Sequence, residues 1–80
     1  MRDLVEYVVK SLVEAPDEVS VEAFEEADET VLEITVAGPD MGRIIGKSGR
    51  VINAIRTVAQ VAAAKQGIRV AVELVETGDR

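Results

Sequence analysis

The run Ile44-Ile45-Gly46-Lys47-Ser48-Gly49-Arg50-Val51-Ile52 constrains the fold more than any other part of the chain. Glycine is a poor helix former, so Gly46 and Gly49, three residues apart, predict a break between two helices. Ile44 and Ile45 before the break and Ile52 after it are expected to hold both helix ends in a core, leaving the turn between them pinned and exposed. Upstream, Gly38-Pro39-Asp40 punctuates the chain, and Pro39 suits the first turn of a short helix running to about Ile45. Downstream, Ile52, Ile55, Ala59 and Ala62 form an apolar stripe that predicts a helix to about Gln66, with Gly67 as its C-terminal cap. Ala59, Ala62, Ala63 and Ala64 permit close packing, against a sheet or against another copy of the chain.

The flanking segments complete an α+β pattern. Leu4, Val5, Val8 and Leu12 recur at helical spacing until Ala15-Pro16-Asp17 stops them, predicting a first amphipathic helix. Val19, Val21 and Ala23 alternate with Ser20 and Glu22, and Leu32, Ile34 and Val36 alternate with Val31, Glu33 and Thr35, predicting two paired strands. Their connection, Glu26-Ala27-Asp28-Glu29, lacks the Asn-Gly or Asp-Gly signature of a tight hairpin, and Phe24 falls out of phase, so the register stays open. Ile68, Val70, Val72 and Leu74 alternate with Arg69, Ala71, Glu73 and Val75 in a third strand. The expected order is helix, strand, strand, helix, helix, strand: a three-stranded sheet covered on one face by three helices. The 80 residues fit one domain, with its core over about 4–75 and a polar, frayed tail at 76–80.

Composition removes most enzyme chemistry. With no cysteine and no histidine there are no disulfides, no thiolate or imidazole metal ligands, no thiol nucleophile and not the commonest general base. No cofactor, metal or catalytic residue is expected. Glu25, Glu26, Asp28 and Glu29 lack the spacing and glycine of a calcium loop and read as a solvated turn. No stretch approaches the roughly 20 apolar residues of a membrane span, and Met1-Arg2-Asp3-Leu4 shows no signal-peptide pattern. A cytoplasmic protein without membrane association is expected.

The net charge of −6 argues at first against a nucleic-acid partner. Its distribution reverses that reading. Residues Met1 to Ala37 carry two basic and eleven acidic side chains, whereas Gly38 to Arg69 carry six basic and one acidic. A polyanion would meet one positive segment on a repulsive surround, which confines contact to a single place. Within that segment the glycines let a sugar-phosphate backbone approach closely, Lys47 supplies charge, Ser48 a hydroxyl, and the following helix offers unpaired N–H groups at its positive end. Arg43 and Arg50 flank the turn, and Arg50, Asn53 and Thr57 are expected to form a polar rim, with Arg56 and Gln60 pointing elsewhere. Tyr7 and Phe24, the two aromatic residues, lie far from the loop in sequence, so stacking on rings is not the expected source of affinity.

Two rival readings exist for the loop itself. It could be a bare corner whose glycines only reverse the chain. Gly46-Lys47-Ser48 also matches the end of a nucleotide-binding P-loop, but that pattern needs glycine at position 41, which is Met41, and a strand rather than a helix before it. A third possibility for the whole chain is a protein-interaction module, in which dimerisation dominates and RNA contact is secondary.

The run from Ile45 to Ile52 resembles the KH-domain signature Ile-Gly-x-x-Gly-x-x-Ile, complete in this sequence. The order of elements is similar to the type II KH arrangement over roughly Leu4 to Val75, and the length resembles the short bacterial KhpA family. That resemblance implies a non-catalytic domain in which Gly46, Lys47, Ser48 and Gly49 clamp the backbone of about four nucleotides of single-stranded RNA. Ile45 and Ile52 would form an apolar floor, with Arg43, Arg50 and Asn53 beside them. It also implies a homodimer or a heterodimer with a larger KH-containing, KhpB-like protein, and a post-transcriptional regulator or RNA chaperone tied to cell growth, cell shape and envelope synthesis.

Overall fold

A computed structural model describes residues 1–76 of the chain. Of the tail expected at 76–80, Glu76 closes the last strand and 77–80 lie outside the described residues. The elements follow the expected order: α1 (Arg2–Leu12), β1 (Ser20–Glu26), β2 (Glu29–Val36), α2 (Met41–Ile45), α3 (Arg50–Lys65) and β3 (Arg69–Glu76), with single 3-10 turns at Pro16–Glu18, Gly38–Asp40 and Lys47–Gly49.

The sheet runs β1-β2-β3, with β1 antiparallel and β3 parallel to the central β2. A parallel neighbour cannot be reached by a tight turn. The chain leaves β2, crosses the sheet through α2 and α3, and returns as β3, so the glycine-bracketed turn lies inside the crossover. One sheet face carries the rows Val21–Ile34–Leu74 and Ala23–Leu32–Val72. Its central residues Leu32 and Ile34 are fully buried against Val5 and Val9 of α1, Ile44 of α2, and Ile52, Ile55, Ala59 and Ala63 of α3. The opposite face is mixed: it puts Glu22, Glu33 and Glu73 side by side across the three strands, next to the apolar row Phe24–Val31–Ala71.

The hairpin register left open by the sequence is now explicit. Glu26 pairs with Glu29, so the loop is Ala27-Asp28, and Ala27 holds the positive φ of +51° that a two-residue hairpin demands and that glycine normally supplies. Phe24 falls out of phase because it sits on that opposite face, beside Val31. It remains half exposed there.

Two helical stripes differ from expectation by one step of the helix. In α1 the buried residues are Val5 and Val9, and Leu4 and Leu12 lie partly exposed, because the core-facing line follows i, i+4 from Val5. In α3 the buried line is Ile52, Ile55, Ala59 and Ala63, with Ala62 turned toward the outer surface. Gly67 does cap α3: at φ +73° it lets Gly67 N–H donate to Ala64 O and Ile68 N–H to Ala63 O, at 3.0 Å each. At the other end of the molecule Arg2 Nε donates to Val21 O at 2.7 Å, tying α1 to β1. Its guanidinium also hydrogen-bonds Glu6 and holds that carboxyl below the usual carboxylate range.

Candidate nucleic-acid interface

α2 is only five residues long, and what positions it is a buried carboxylate. Asp40, 2% exposed, accepts hydrogen bonds from Glu14 N–H at 3.0 Å and Ala15 N–H at 3.1 Å, with Arg43 Nε 3.5 Å away. The link after α1 is thereby tied to the start of the segment that carries the loop. Nothing in the sequence singled out Asp40 for this role, since its two partners are backbone groups more than twenty residues earlier. Arg43, expected at the interface, donates to Glu14 at 3.0 Å, so its charge is largely answered by Glu14 and Asp40.

The loop itself is a sharp, glycine-dependent corner. Gly46 adopts φ +74°, ψ 173°, a region accessible essentially only to glycine, and a methyl group there would lie 2.4 Å from Val51 Cγ2. Gly46 thus lets the first turn of α3 close down on the end of α2. Ser48 (φ +56°) and Gly49 (φ +75°) are both left-handed, and a methyl on Gly49 would meet nothing nearer than Asn53 Nδ2 at 3.7 Å. Gly46 is required by packing and geometry together, Gly49 by geometry with open space in front of it. Gly49 N–H donates to Gly46 O at 3.1 Å, and Arg50 N–H donates to Lys47 O.

What the corner presents is a patch of donors. Lys47, Ser48 and Arg50 are exposed, no side chain caps the N-terminus of the sixteen-residue α3, and its first turn holds no acidic residue. Among the described residues neither Lys47 nor Arg50 is paired in a salt bridge. Positive side chains and the positive end of a helix dipole therefore converge on one surface.

The two isoleucine anchors behave differently. Ile44 is fully buried and Ile52 is 6% exposed, so these two hold the corner. Ile45 is 39% exposed, because the 100° step of the helix turns it off the core. It offers an apolar surface beside the loop, whereas Ile52 mainly faces the core.

Arg56 was expected on a different side from the rim, and the structure corrects that. Arg56 Nη1 donates to Asn53 Oδ1 at 3.2 Å and Arg56 Nε to Val72 O at 3.4 Å. The polar line therefore runs from Gly49 through Asn53 and Arg56 to the free edge of β3. Thr57 hydroxyl instead donates back to Asn53 O within its own helix. The sequence signal was available: a step of three residues from Asn53 to Arg56 stays on one helical face.

On the other flank of α3 lies a second, largely apolar surface, with Arg50, Thr57 and Lys65 along its rim. Val5, Val8, Leu12, Val51, Ala54 and Val58 line a cleft of about 280 Å³ between α1 and α3. A neighbouring cleft of about 410 Å³ is walled by Leu4, Val58 and Val61. Tyr7 stands 71% exposed on α1 of the same layer.

The KhpA/KhpB KH-domain model matches residues 2–74. The chain is 48% identical to the RNA-binding protein KhpA of Clostridium acetobutylicum over 75 residues, covering 94% of this chain and 100% of that one. It is 41% identical to the RNA-binding protein KhpA of Chlamydia caviae over 76 residues, covering 95% and 97%. Its backbone superposes with a TM-score of 0.64, at 24% identity, on a crystal structure of Era in complex with MgGDPNP and nucleotides 1506–1542 of 16S ribosomal RNA, covering 94% of this chain and 29% of that one. The shared element order, the complete signature from Ile45 to Ile52 and a match over nearly the whole length place the chain in the KhpA/KhpB KH-domain family.

Proposed function

We propose that the protein binds single-stranded RNA without catalysis, holding the sugar-phosphate backbone at Gly46-Lys47-Ser48-Gly49. The observation that carries this reading is the corner itself: three positive-φ residues within four, bearing exposed Lys47 and Ser48 at the uncapped N-terminus of α3. A bare chain reversal needs neither the unpaired cations nor the open space in front of Gly49. The name RNA-binding protein, carried by relatives of full matching length, supports the same reading. Ile45 and Asn53 meet bases next to the loop, and Arg50 meets a phosphate. Ile52 acts mainly by keeping the corner in place, and Arg43 contributes through its tie to Asp40.

The test is RNA titration of the Lys47→Asp/Ser48→Asp double variant. Both side chains are exposed, so the variant is expected to keep its circular dichroism and melting temperature while losing RNA affinity by at least tenfold. A folded variant that binds like wild type would refute the reading. With three or four phosphates neutralised, the logarithm of affinity should fall against the logarithm of salt with a slope of roughly −2 to −3.

The apolar α1–α3 flank favours a second use, pairing with another copy or with the KH domain of a larger, KhpB-like partner. It lies across α3 from Asn53 and Arg56, and meets the RNA-holding corner at Arg50, which lines one of its clefts. A small cytoplasmic dimer presenting two RNA grips suits a post-transcriptional regulator or RNA chaperone linked to cell growth, cell shape and envelope synthesis.

A further inference from the structure

We infer that Arg56, held against the free edge of β3, is a specificity residue that selects RNA bases with two adjacent hydrogen-bond acceptors, cytosine or guanine, over adenine and uracil. The inference rests on the RNA-binding reading and adds to it the base that is read. Arg56 is half-buried on α3, and two of the five donors of its guanidinium are engaged, by Val72 O at 3.4 Å and Asn53 Oδ1 at 3.2 Å. These contacts fix the plane of the group while leaving the other donors on Nη1 and Nη2. Both bonds are long, so a ligand can improve on them.

The neighbouring amide has its orientation set by the same contact. Because Arg56 donates to Asn53 Oδ1, the amide nitrogen is the atom turned toward Gly49, 3.7 Å from where a Cβ on that glycine would sit. Arg56 and Asn53 thus present only donors between the loop and the strand edge. A base whose edge alternates donor and acceptor cannot satisfy two donors side by side. Uracil flanks N3–H with its two oxygens, and adenine sets its amino group beside N1 and N7. Cytosine offers O2 next to N3, and guanine offers O6 next to N7, the edge that a guanidinium reads in duplexes. In a single strand both edges are free.

One turn further along α3, at Gln60 and Ala64, a cleft of about 310 Å³ opens toward Ile68, Arg69 and Val70, with Glu29 on its wall. A base beside Arg56 therefore lies at the edge of β3, about two helical turns from the loop.

The experiment compares binding of fluorescent decamers of cytidine, uridine, adenosine and alternating guanosine–uridine by wild type, Arg56→Lys, Arg56→Ala and the Lys47→Asp/Ser48→Asp variant. Wild type is expected to favour the cytidine and guanosine ligands by about tenfold. Arg56→Lys, which keeps the charge and the aliphatic stem but not the planar fork, should bring all four within about twofold while preserving the salt slope. Equal affinities in wild type, or a spread retained in Arg56→Lys, would overturn the inference and leave the loop reading standing. Equal weakening for every ligand in Arg56→Ala, with the spread intact, would make Arg56 a phosphate contact and overturn it also. Wild type that binds none of the four fails the loop reading before any variant is made, and the inference with it.

Discussion

At the scale of single residues, the two glycines of the loop answer to different demands. A methyl at position 46 must both enter a glycine-only backbone region and intrude on Val51, so Gly46→Ala is expected to cost roughly 3 kcal/mol or more of stability in urea titration. At position 49 the backbone is left-handed but the space is open, so Gly49→Ala should cost only about 1 kcal/mol. If RNA is held at the loop as proposed, the methyl projects toward it, and the same variant should lose affinity by more than its stability loss explains, measured by titration on the folded protein. The Gly-x-x-Gly spacing was legible in the sequence, and the left-handed turn with it. The asymmetry was not, because it depends on where the side chain of Val51 settles once α2 and α3 meet. Ile45 is a similar case, since an isoleucine pair reads as a double anchor until the helical step exposes one of the two.

At the scale of elements, the sheet carries a fault that a pattern of alternation conceals. Glu22, Glu33 and Glu73 each occupy a proper polar position in their own strand, and only the register sets them abreast. Like charges directly opposite one another destabilise a sheet. Glu33→Lys, which places a cation between the other two, is expected to raise stability by about 1 kcal/mol, with the gain shrinking at high salt. Urea midpoints at low and high ionic strength check both parts. Strand existence and phase were legible because alternation survives in Leu32, Ile34, Val36 and again in Val70, Val72, Leu74. The hairpin was harder, because Ala27 takes a backbone conformation that its side chain does not advertise. In α1 the valines and leucines admit two nearby stripes, and which one is buried is decided by the sheet it docks on.

At the scale of the whole molecule, Asp40 joins parts that are distant along the chain. Asp40→Ala would leave two part-buried N–H groups at Glu14 and Ala15 without their acceptor, and a loss of about 1–3 kcal/mol is expected by urea denaturation. The apolar flank is the surface proposed to pair with another copy. Val58 lines both clefts between α1 and α3, so Val58→Asp should convert a dimer to a monomer in light scattering while each copy still binds RNA at its own loop. The overall plan was readable from the order of periodicities, and the positive segment proposed to meet RNA from local charge. The groove between α3 and β3 was not, because it is made by elements brought together only in the assembled fold.

The parallel pairing of β2 with β3 has a consequence for biosynthesis. The corner is held in a crossover between β2 and β3, and β3 is synthesised after the whole signature. A nascent chain that has extruded everything through α3 carries the complete signature but no third strand to brace it, and no Val72 carbonyl for Arg56 to meet. If the corner holds RNA as proposed, the grip is expected to mature only once β3 has docked beside β2.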